Sequence, residues 1–500
     1  MGLKGKKITV VGLARSGAGA AGLLSLMGAE VTVTDKRPEN ELIDMVKELG
    51  PSVKLALGGH PEGVFSAAEL IVVSPGVPLE IRPIASAKAK GIPVIGELEL
   101  AFQVIENPEP GTRNPEGKDK IPFLAVTGSN GKSTTTTLLD HMMRKAGFST
   151  VFGGNIGNAL TEEILRAVKS DRSKVKSEKL EQPAENLSPF TFDLSCDYVV
   201  AEVSSFQLES IESFRPHIAS ILNITPDHMD RYHSMTEYRD AKAAIYQNQL
   251  SSDFLVLNAD DPGVLDLYNL HFRPGNPERP KVCFFSRNRE VEGIYCKDGK
   301  VYCNMPDIAC TAYLIGADEI RIKGVHNLEN AMAASAMALL ANCPPEAVVK
   351  SMKEFGGLEH RLELVRELDG VTYINDSKGT NVGAVVKSIE SFPERIVLIA
   401  GGRDKAGDFS ALRELVSQKV RAIILIGEAS AKIKDALGDV TDTLMAKDLA
   451  EAVTMSRQMA KKGDVVLLSP ACASFDMFRD YEDRGRQFKK LVMEIKDNNA

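Results

Sequence analysis

Short apolar runs recur along the chain, each closed by a glycine-rich or polar turn and followed by residues at helical spacing. Runs of this kind, bounded by turn signals, read as buried strands of a parallel sheet. The first opens at Lys7 to Val11, turns through Gly12-Leu13-Ala14-Arg15-Ser16-Gly17 and continues as an Ala/Leu-rich helix to about Met27. Further strands are predicted at Val31 to Thr34, Leu70 to Ser74 and Pro93 to Ile95. A second segment opens with a strand at Ile121 to Val126 and a helix over Thr135 to Lys145. Its other clear strands are Tyr198 to Val203, Ile218 to Ile224 and Phe254 to Asn258. Helices are expected over Tyr238 to Gln249 and over Asn327 to Leu340, the latter Ala-rich and mostly core. A third segment opens near Leu358 and holds strands Val371 to Asn375, Ile396 to Ala400, Ala422 to Gly427 and Val465 to Ser469. The charged run Arg479 to Lys496 reads as the last helix. Strand and helix alternate throughout, so the fold class is α/β, built from doubly wound parallel sheets.

A chain of 500 residues is too long for one core. Three domains are expected: 1–105, Rossmann-like; 106–357, a central ATPase-type α/β domain; and 358–500, Rossmann-like again. Asn107 to Lys120, with three Pro and two Gly, reads as a linker. Lys169 to Asp193 is polar and interrupted by two Pro, and reads as a mobile surface insertion.

Composition narrows the function classes. A net charge of −8 argues against a general nucleic-acid binder, although local Lys and Arg can still hold an anionic substrate. No apolar run approaches the ~20 residues of a membrane span, and the basic start is followed by too short an apolar stretch for a signal peptide. Seven scattered Cys without C-x-x-C spacing suggest free thiols in a reducing compartment.

The densest chemistry lies in Thr127-Gly128-Ser129-Asn130-Gly131-Lys132-Ser133-Thr134, between a strand and a helix. Backbone N–H groups and a helix N-terminus converge there, which makes a cradle for phosphate. Lys132 adds a mobile positive charge, and the Ser133 hydroxyl can ligate Mg2+. Val126 stands where a strict Walker A loop has its first Gly, so the match is partial. The first glycine turn, with Asp35 about 20 positions on, resembles a dinucleotide fingerprint. Ala14 replaces the middle Gly, which leaves NAD(P), another diphosphate-bearing ligand and a purely structural turn all open.

Other polar clusters follow strands directly, at the edge where open α/β sheets bind ligands. Glu202, in Glu202 to Glu209, is placed to ligate the Mg2+ of a nucleotide held at Lys132; Ser204 or Ser205 can also cap a helix there. Asn223 to Tyr232 carries two carboxylates, His228 and Arg231, which suits a metal or phosphate. Lys242, judged alone, reads as a solvated surface lysine. The third segment holds His360-Arg361, Asn375 to Asn381, Gly401 to Lys405 and Leu468 to Asp476. The last three can converge at one sheet edge.

Together the T-G-x-N-G-K-[ST] loop, the N-D-S-K-x-T-N run at Asn375 to Asn381 and the L-S-P-A-C-A-S run at Leu468 to Ser474 resemble the Mur ligases of peptidoglycan synthesis. The resemblance spans nearly the whole chain, and it is greatest to the branch that adds D-glutamate to UDP-N-acetylmuramoyl-L-alanine. It implies ATP-dependent amide formation through an acyl phosphate, with those two small molecules as partners, by a cytoplasmic monomer that binds neither nucleic acid nor membrane. It places the ATP phosphates on Gly128, Ser129, Asn130, Gly131, Lys132, Ser133 and Thr134. One Mg2+ falls to Ser133 and Glu202, and a second to His228 and a carbamylated Lys242. Asn327 and Asn330 fall near adenine, and Arg361 and Asp376 near ribose and phosphate. Ser16, Asp35 and Arg37 are implied at the UDP end, and Asn155 on the sugar-peptide side. Lys378, Thr380, Lys405, Ser474, Phe475 and Tyr481 are implied around the amino acid. Lys132, His228, Lys242 and Lys378 are the catalytic candidates. Tyr481, where a Phe is common, and Arg15, where an apolar residue is common, depart from the family pattern.

Sibling ligases and folylpolyglutamate synthase are the alternatives within this chemistry. The D-N-P-R signature of the diamino-acid branch is absent, and folylpolyglutamate synthase lacks the uridine domain. A nucleotide-binding regulator without ligation would leave His228, Lys242 and Lys405 incidental.

Overall fold

The computed structural model describes residues 2–106, 120–178, 194–228, 231–272, 279–308, 310–404 and 407–496. They form two compact units, Met1–Ile320 with His326–Lys353, and Arg321–Val325 with Glu354–Ala500.

The first unit contains two sheets. One comprises β1 (Lys7–Val11), β2 (Glu30–Asp35), β3 (Lys54–Leu57), β4 (Leu70–Val73) and β5 (Val94–Gly96). Its order is β3-β2-β1-β4-β5, all parallel. The strand order therefore reverses between β1 and β4, which opens a crevice beyond their carboxyl ends. The second sheet comprises β6 (Phe123–Thr127), β7 (Thr150–Gly154), β8 (Tyr198–Glu202), β9 (Ile218–Ile221), β10 (Phe254–Asn258) and β11 (Lys281–Ser286), then β12 (Gly293–Lys297), β13 (Lys300–Met305) and β14 (Cys310–Gly316). Its order is β14-β13-β12-β11-β10-β9-β6-β8-β7. β6 runs parallel between β8 and β9, so the loops after all three open at one edge.

These two sheets share one core. Helix Arg15–Leu26 and helix Glu97–Glu106 bring Leu23, Leu98 and Phe102 into the same apolar cluster as Phe123 and Leu160. The rings of Phe102, Phe123 and Phe214 meet edge to face with centroids 5.3, 5.5 and 5.8 Å apart. Two buried carboxylates pin the junction. Glu97 accepts from Thr161 N at 2.7 Å and Thr161 Oγ1 at 2.8 Å. Glu99 accepts from the backbone N–H groups of Glu212, Ser213 and Phe214.

The second unit holds β15 (Glu363–Leu368), β16 (Val371–Asn375), β17 (Ile396–Gly401), β18 (Val420–Ile426), β19 (Asp442–Met445) and β20 (Val465–Leu468). The order is β15-β16-β20-β17-β18-β19, with only β15 antiparallel. Helices Val382–Glu390, Ser430–Leu437, Leu449–Met459 and Tyr481–Met493 cover it.

Several elements differ from the sequence reading. Helix Leu160–Glu178 carries the first part of the expected insertion, so 169–178 is helical; 179–193 lies outside the described residues, as does 107–119 of the expected linker. The helix expected over Tyr238 to Gln249 instead runs Met235–Ala243 and tightens into a 3-10 turn at Ala244–Tyr246. Its start is set by Ser234, whose side chain accepts from Glu237 N. β3, β7, β11 to β15 and β19 have no counterpart in that reading. They are short, glycine-containing or partly exposed, and most lack a continuous apolar run.

Candidate active site

The turn after β1 forms the wall of a cavity of about 610 Å³. Ser16, Asp35 and Arg37 line it, and so does Asn155, which follows β7 in the other sheet. The three residues implied at the UDP end and the one implied on the sugar-peptide side thus line one cavity. Gly17 permits the tight turn, because a Cβ there would collide with the carbonyl of Gly12. Ser74, at the end of β4, donates to that same carbonyl at 3.0 Å.

Asp35 braces the turn. Its Oδ2 accepts from Leu13 N at 2.7 Å, and Arg37 bonds both carboxylate oxygens at 3.0 Å. Burial alone would raise this carboxyl, but the Arg37 and backbone bonds outweigh it and hold the pKa at about 2. Asp35 therefore stays ionised and orients Arg37 along the cavity wall.

Asn155 links this cavity to the phosphate loop. Its Nδ2 donates to Glu202 Oε1 at 2.7 Å. Glu202 is buried at the end of β8, and its Oε2 has no hydrogen-bond partner among the described residues. A buried carboxylate oxygen without a donor fits a cation. Ser133, whose hydroxyl is the other ligand expected to serve that cation, is buried in the first turn of helix Lys132–Lys145.

The loop itself is braced from β9. Asn130 N donates to Asn223 Oδ1 at 2.8 Å, and Asn223 Nδ2 returns a bond to Asn130 O at 3.1 Å. Ser129 Oγ donates to Thr225 O at 2.9 Å. Gly131 starts the helix in a left-handed conformation, φ 84°, and a Cβ there would strike Asn330 Oδ1. Asn330 also accepts from Thr135 Oγ1 at 3.2 Å and donates to Asn327 Oδ1 at 3.3 Å. Of the two Asn residues expected near the base, Asn330 sits against the start of the phosphate-loop helix, and Asn327 is bonded to Asn330. Asn223 and Thr225 were visible in the sequence only as part of a polar cluster, and their bracing role depends on β6 and β9 being neighbours.

Lys242 is not the solvated lysine its sequence context suggests; it is 1% exposed. Its Nζ donates to Gly128 O at 2.9 Å, and Lys132 Nζ donates to the same oxygen at 2.8 Å. Burial, and then the charge of Lys132, push the pKa of Lys242 down to about 7. The ammonium also lies 4.4 Å from the centre of the Tyr238 ring. The His228 ring also meets Tyr238, with centroids 6.4 Å apart, and packs on Phe206 at 4.8 Å. Met229 and Asp230 of this cluster lie outside the described residues.

In the second unit the three clusters after β16, β17 and β20 do converge. Ala471 N donates to Gly379 O at 2.8 Å, and Gly401 N donates to Pro470 O at 2.8 Å. Arg403 and Ala473 exchange backbone bonds at 2.9 and 3.1 Å. Asp376 is buried; its Oδ2 accepts from Ser388 Oγ at 2.6 Å and Ser469 Oγ at 2.7 Å, and burial pushes its pKa up. Leu362 N also donates to its Oδ1 at 3.3 Å, and Arg361, next to Leu362, is partly exposed. Lys378 Nζ lies 5.8 Å from the centre of the Tyr481 ring, whose hydroxyl is pushed up to about 12 by burial. Thr380 follows in the same loop, and its N–H donates to Lys378 O at 2.8 Å. Ser474 is buried and Phe475 is 61% exposed. Lys405 lies outside the described residues. Ser388 and Arg484 carry no sequence motif, and the reading missed them.

Comparison with known proteins finds three family matches along the chain. Residues 6–96 match the Mur ligase MurD-like N-terminal domain, 126–338 the Mur ligase middle domain, and 360–472 the Mur ligase glutamate ligase domain. The chain is 44% identical over 502 residues to a UDP-N-acetylmuramoylalanine--D-glutamate ligase of Citrifermentans bemidjiense, covering 100% of both. It is 40% identical over 501 residues to the enzyme of that name from Pelotomaculum thermopropionicum, covering 98% of each. Among solved structures it resembles the UDP-N-acetylmuramate-alanine ligase MurC of Thermotoga maritima, with TM-score 0.55, 19% identity and coverage of 98% of this chain and 100% of the other. MurF of Acinetobacter baumannii gives TM-score 0.57 at 16% identity, covering 96% and 93%. At those identities the structures speak for the fold alone.

Proposed function

The chain belongs to the Mur ligase family, and from that premise we propose that it joins D-glutamate to UDP-N-acetylmuramoyl-L-alanine at the cost of ATP. The reaction belongs to peptidoglycan synthesis and so serves cell-wall biogenesis, cell shape and division. One observation carries the reading. The cavity that holds Ser16, Asp35 and Arg37 also holds Asn155, and Asn155 is bonded to Glu202 beside the phosphate loop. A nucleotide sugar anchored at the first turn can therefore extend its far end toward the γ-phosphate of ATP.

The chemistry follows from that proximity. A carboxylate is a poor acyl donor. An oxygen of the alanyl carboxylate attacks the γ-phosphorus, the bond to the β-phosphate oxygen breaks, and ADP leaves. The amine of D-glutamate then attacks the acyl carbon, loses a proton, and the tetrahedral intermediate expels phosphate. Charge builds on phosphoryl and carbonyl oxygens, and fixed cations and N–H groups stabilise it. Lys132 and the N–H groups of Gly128 to Thr134 face the phosphates in this scheme. Ser133 and Glu202 would hold Mg2+, which would offset phosphate charge when bound. Asn327 and Asn330 are assigned to the base.

His228 and Lys242 are assigned to a second Mg2+. An ammonium cannot ligate a cation, so Lys242 first has to react with CO2: its neutral Nζ forms a bond to carbon and releases a proton. Burial beside Lys132, with a pKa near neutrality, supports that modification. In the second unit Lys378, Thr380, Lys405, Ser474, Phe475 and Tyr481 are assigned to D-glutamate, and Arg361 and Asp376 to the nucleotide. The domain division 1–105, 106–357 and 358–500 is retained as a functional one. No helix among the described residues is long and apolar enough to cross a membrane; we assign the enzyme to the cytoplasm as a monomer without nucleic-acid partners.

Phosphate release tests the reading. It should require ATP, UDP-N-acetylmuramoyl-L-alanine and D-glutamate together. Equal release with any one omitted would contradict it.

A further inference from the structure

The last helix buries a charge that this mechanism does not use. Arg484 is 0% exposed. Its Nε donates to Ser377 Oγ at 2.9 Å, and its Nη2 donates to Ser377 O at 2.8 Å. Nη1 and Nη2 also reach Cys472 O, at 3.3 and 3.4 Å. All these acceptors are neutral. Asp376 and Asp476 act on the guanidinium only as more distant charges, and burial brings its pKa down to about 10. Desolvating a cation without a carboxylate partner is costly, and buried arginines are ordinarily paired.

The bonded residues belong to two different loops. Ser377 lies in the loop after β16 and Cys472 in the loop after β20. Lys378 directly follows Ser377, and Ser474 lies just beyond Cys472. The loops meet again where Ala471 N donates to Gly379 O. Ser377 Oγ, in turn, donates to Tyr481 O at 2.8 Å, so the start of the last helix is tied to the same point. A planar fork that bonds two loops at once fixes their separation in a way that a flexible ammonium cannot.

We propose that Arg484 is a positioning residue for the amino-acid pocket: its fork sets the spacing of Lys378 and Thr380 against Ser474, and its unpaired charge behind both loops favours an amino acid with a second carboxylate. The inference rests on the reading of Lys378, Thr380 and Ser474 as D-glutamate ligands. A fixed charge acts more strongly through a protein interior than through water, so the carboxylate need not touch it.

Three variants separate geometry from charge. Arg484→Lys keeps the charge and loses the fork. Arg484→Met keeps much of the volume and loses both. Ser377→Ala removes one acceptor and leaves Arg484 in place, so it serves even if the Met variant fails to fold. Steady-state rates with each substrate varied in turn give the KM for each. The KM for D-glutamate should rise about tenfold in Ser377→Ala and Arg484→Lys, and about a hundredfold in Arg484→Met, while those for ATP and UDP-N-acetylmuramoyl-L-alanine stay within about twofold. An unchanged D-glutamate KM in the folded variants, or an equal rise for all three substrates, overturns the proposal. If the wild-type enzyme itself does not incorporate D-glutamate, the functional reading fails first and the role of Arg484 falls with it.

Discussion

Two ammonium groups, from Lys132 and Lys242, meet at the carbonyl of Gly128. Their roles separate on mutation. Lys132→Ala should abolish ligation and leave binding of the UDP substrate intact, because that ligand is held at the first turn; calorimetry on the variant checks the binding, and a wild-type ligation rate would remove Lys132 from the mechanism. Lys242 should respond to pH and CO2 together. Its amine is neutral only as pH rises through about 7, so bicarbonate added after CO2 depletion should restore more activity at pH 8 than at pH 6. Lys242→Ala should be inactive; full activity there, with no response to CO2 depletion, would contradict carbamylation. The same shift bears on stability. The unfolded chain holds this proton up to about pH 10.4, whereas the folded one loses it near 7. Between those values the unfolded state binds more protons, so this group makes stability rise with pH across the window.

Among the elements, helix Glu97–Glu106 joins the first sheet to the second, and Glu99 is its buried anchor. Glu99→Ala would leave the N–H groups of Glu212, Ser213 and Phe214 without their acceptor, at a cost of about 1–3 kcal/mol for each buried group left unpaired. Urea unfolding should show a loss of at least about 2 kcal/mol, and a shift below about 0.5 kcal/mol would mean that water replaces the carboxylate. Nothing in the sequence marks Glu99 as an anchor, because its backbone donors lie more than a hundred positions away. Strands that run apolar on both faces, such as β6 and β10, were legible because burial on two sides removes polar residues. β13 alternates between buried and more exposed positions, in the middle of an antiparallel extension from β12 to β14, and so presents no continuous apolar run. Lys242 was misread for a related reason: helical spacing alone does not reveal which face of Met235–Ala243 meets the phosphate loop. Arg484 was hidden in a charged helix, although Phe488 and Val492 follow it on the same buried face.

Across the whole molecule, the shared core of the first two sheets has a thermodynamic consequence. The turn after β1 and the phosphate loop lie in one compact unit, so a ligand at either should stabilise the same unfolding transition. Scanning calorimetry with UDP-N-acetylmuramoyl-L-alanine alone and with an ATP analogue alone should move the same peak; two peaks, each moved by one ligand, would contradict a common core. The central claim is the ligation itself, and its most direct test is incorporation of radiolabelled amino acid into UDP-N-acetylmuramoyl-L-alanine in the presence of ATP and Mg2+. A pocket whose donors expect a second carboxylate rejects analogues that leave them unpaired. D-Glutamate should be incorporated, while D-alanine, L-alanine and L-glutamate should not. Incorporation of L-alanine, or of no amino acid at all while ATP and the UDP substrate both bind, would contradict the account.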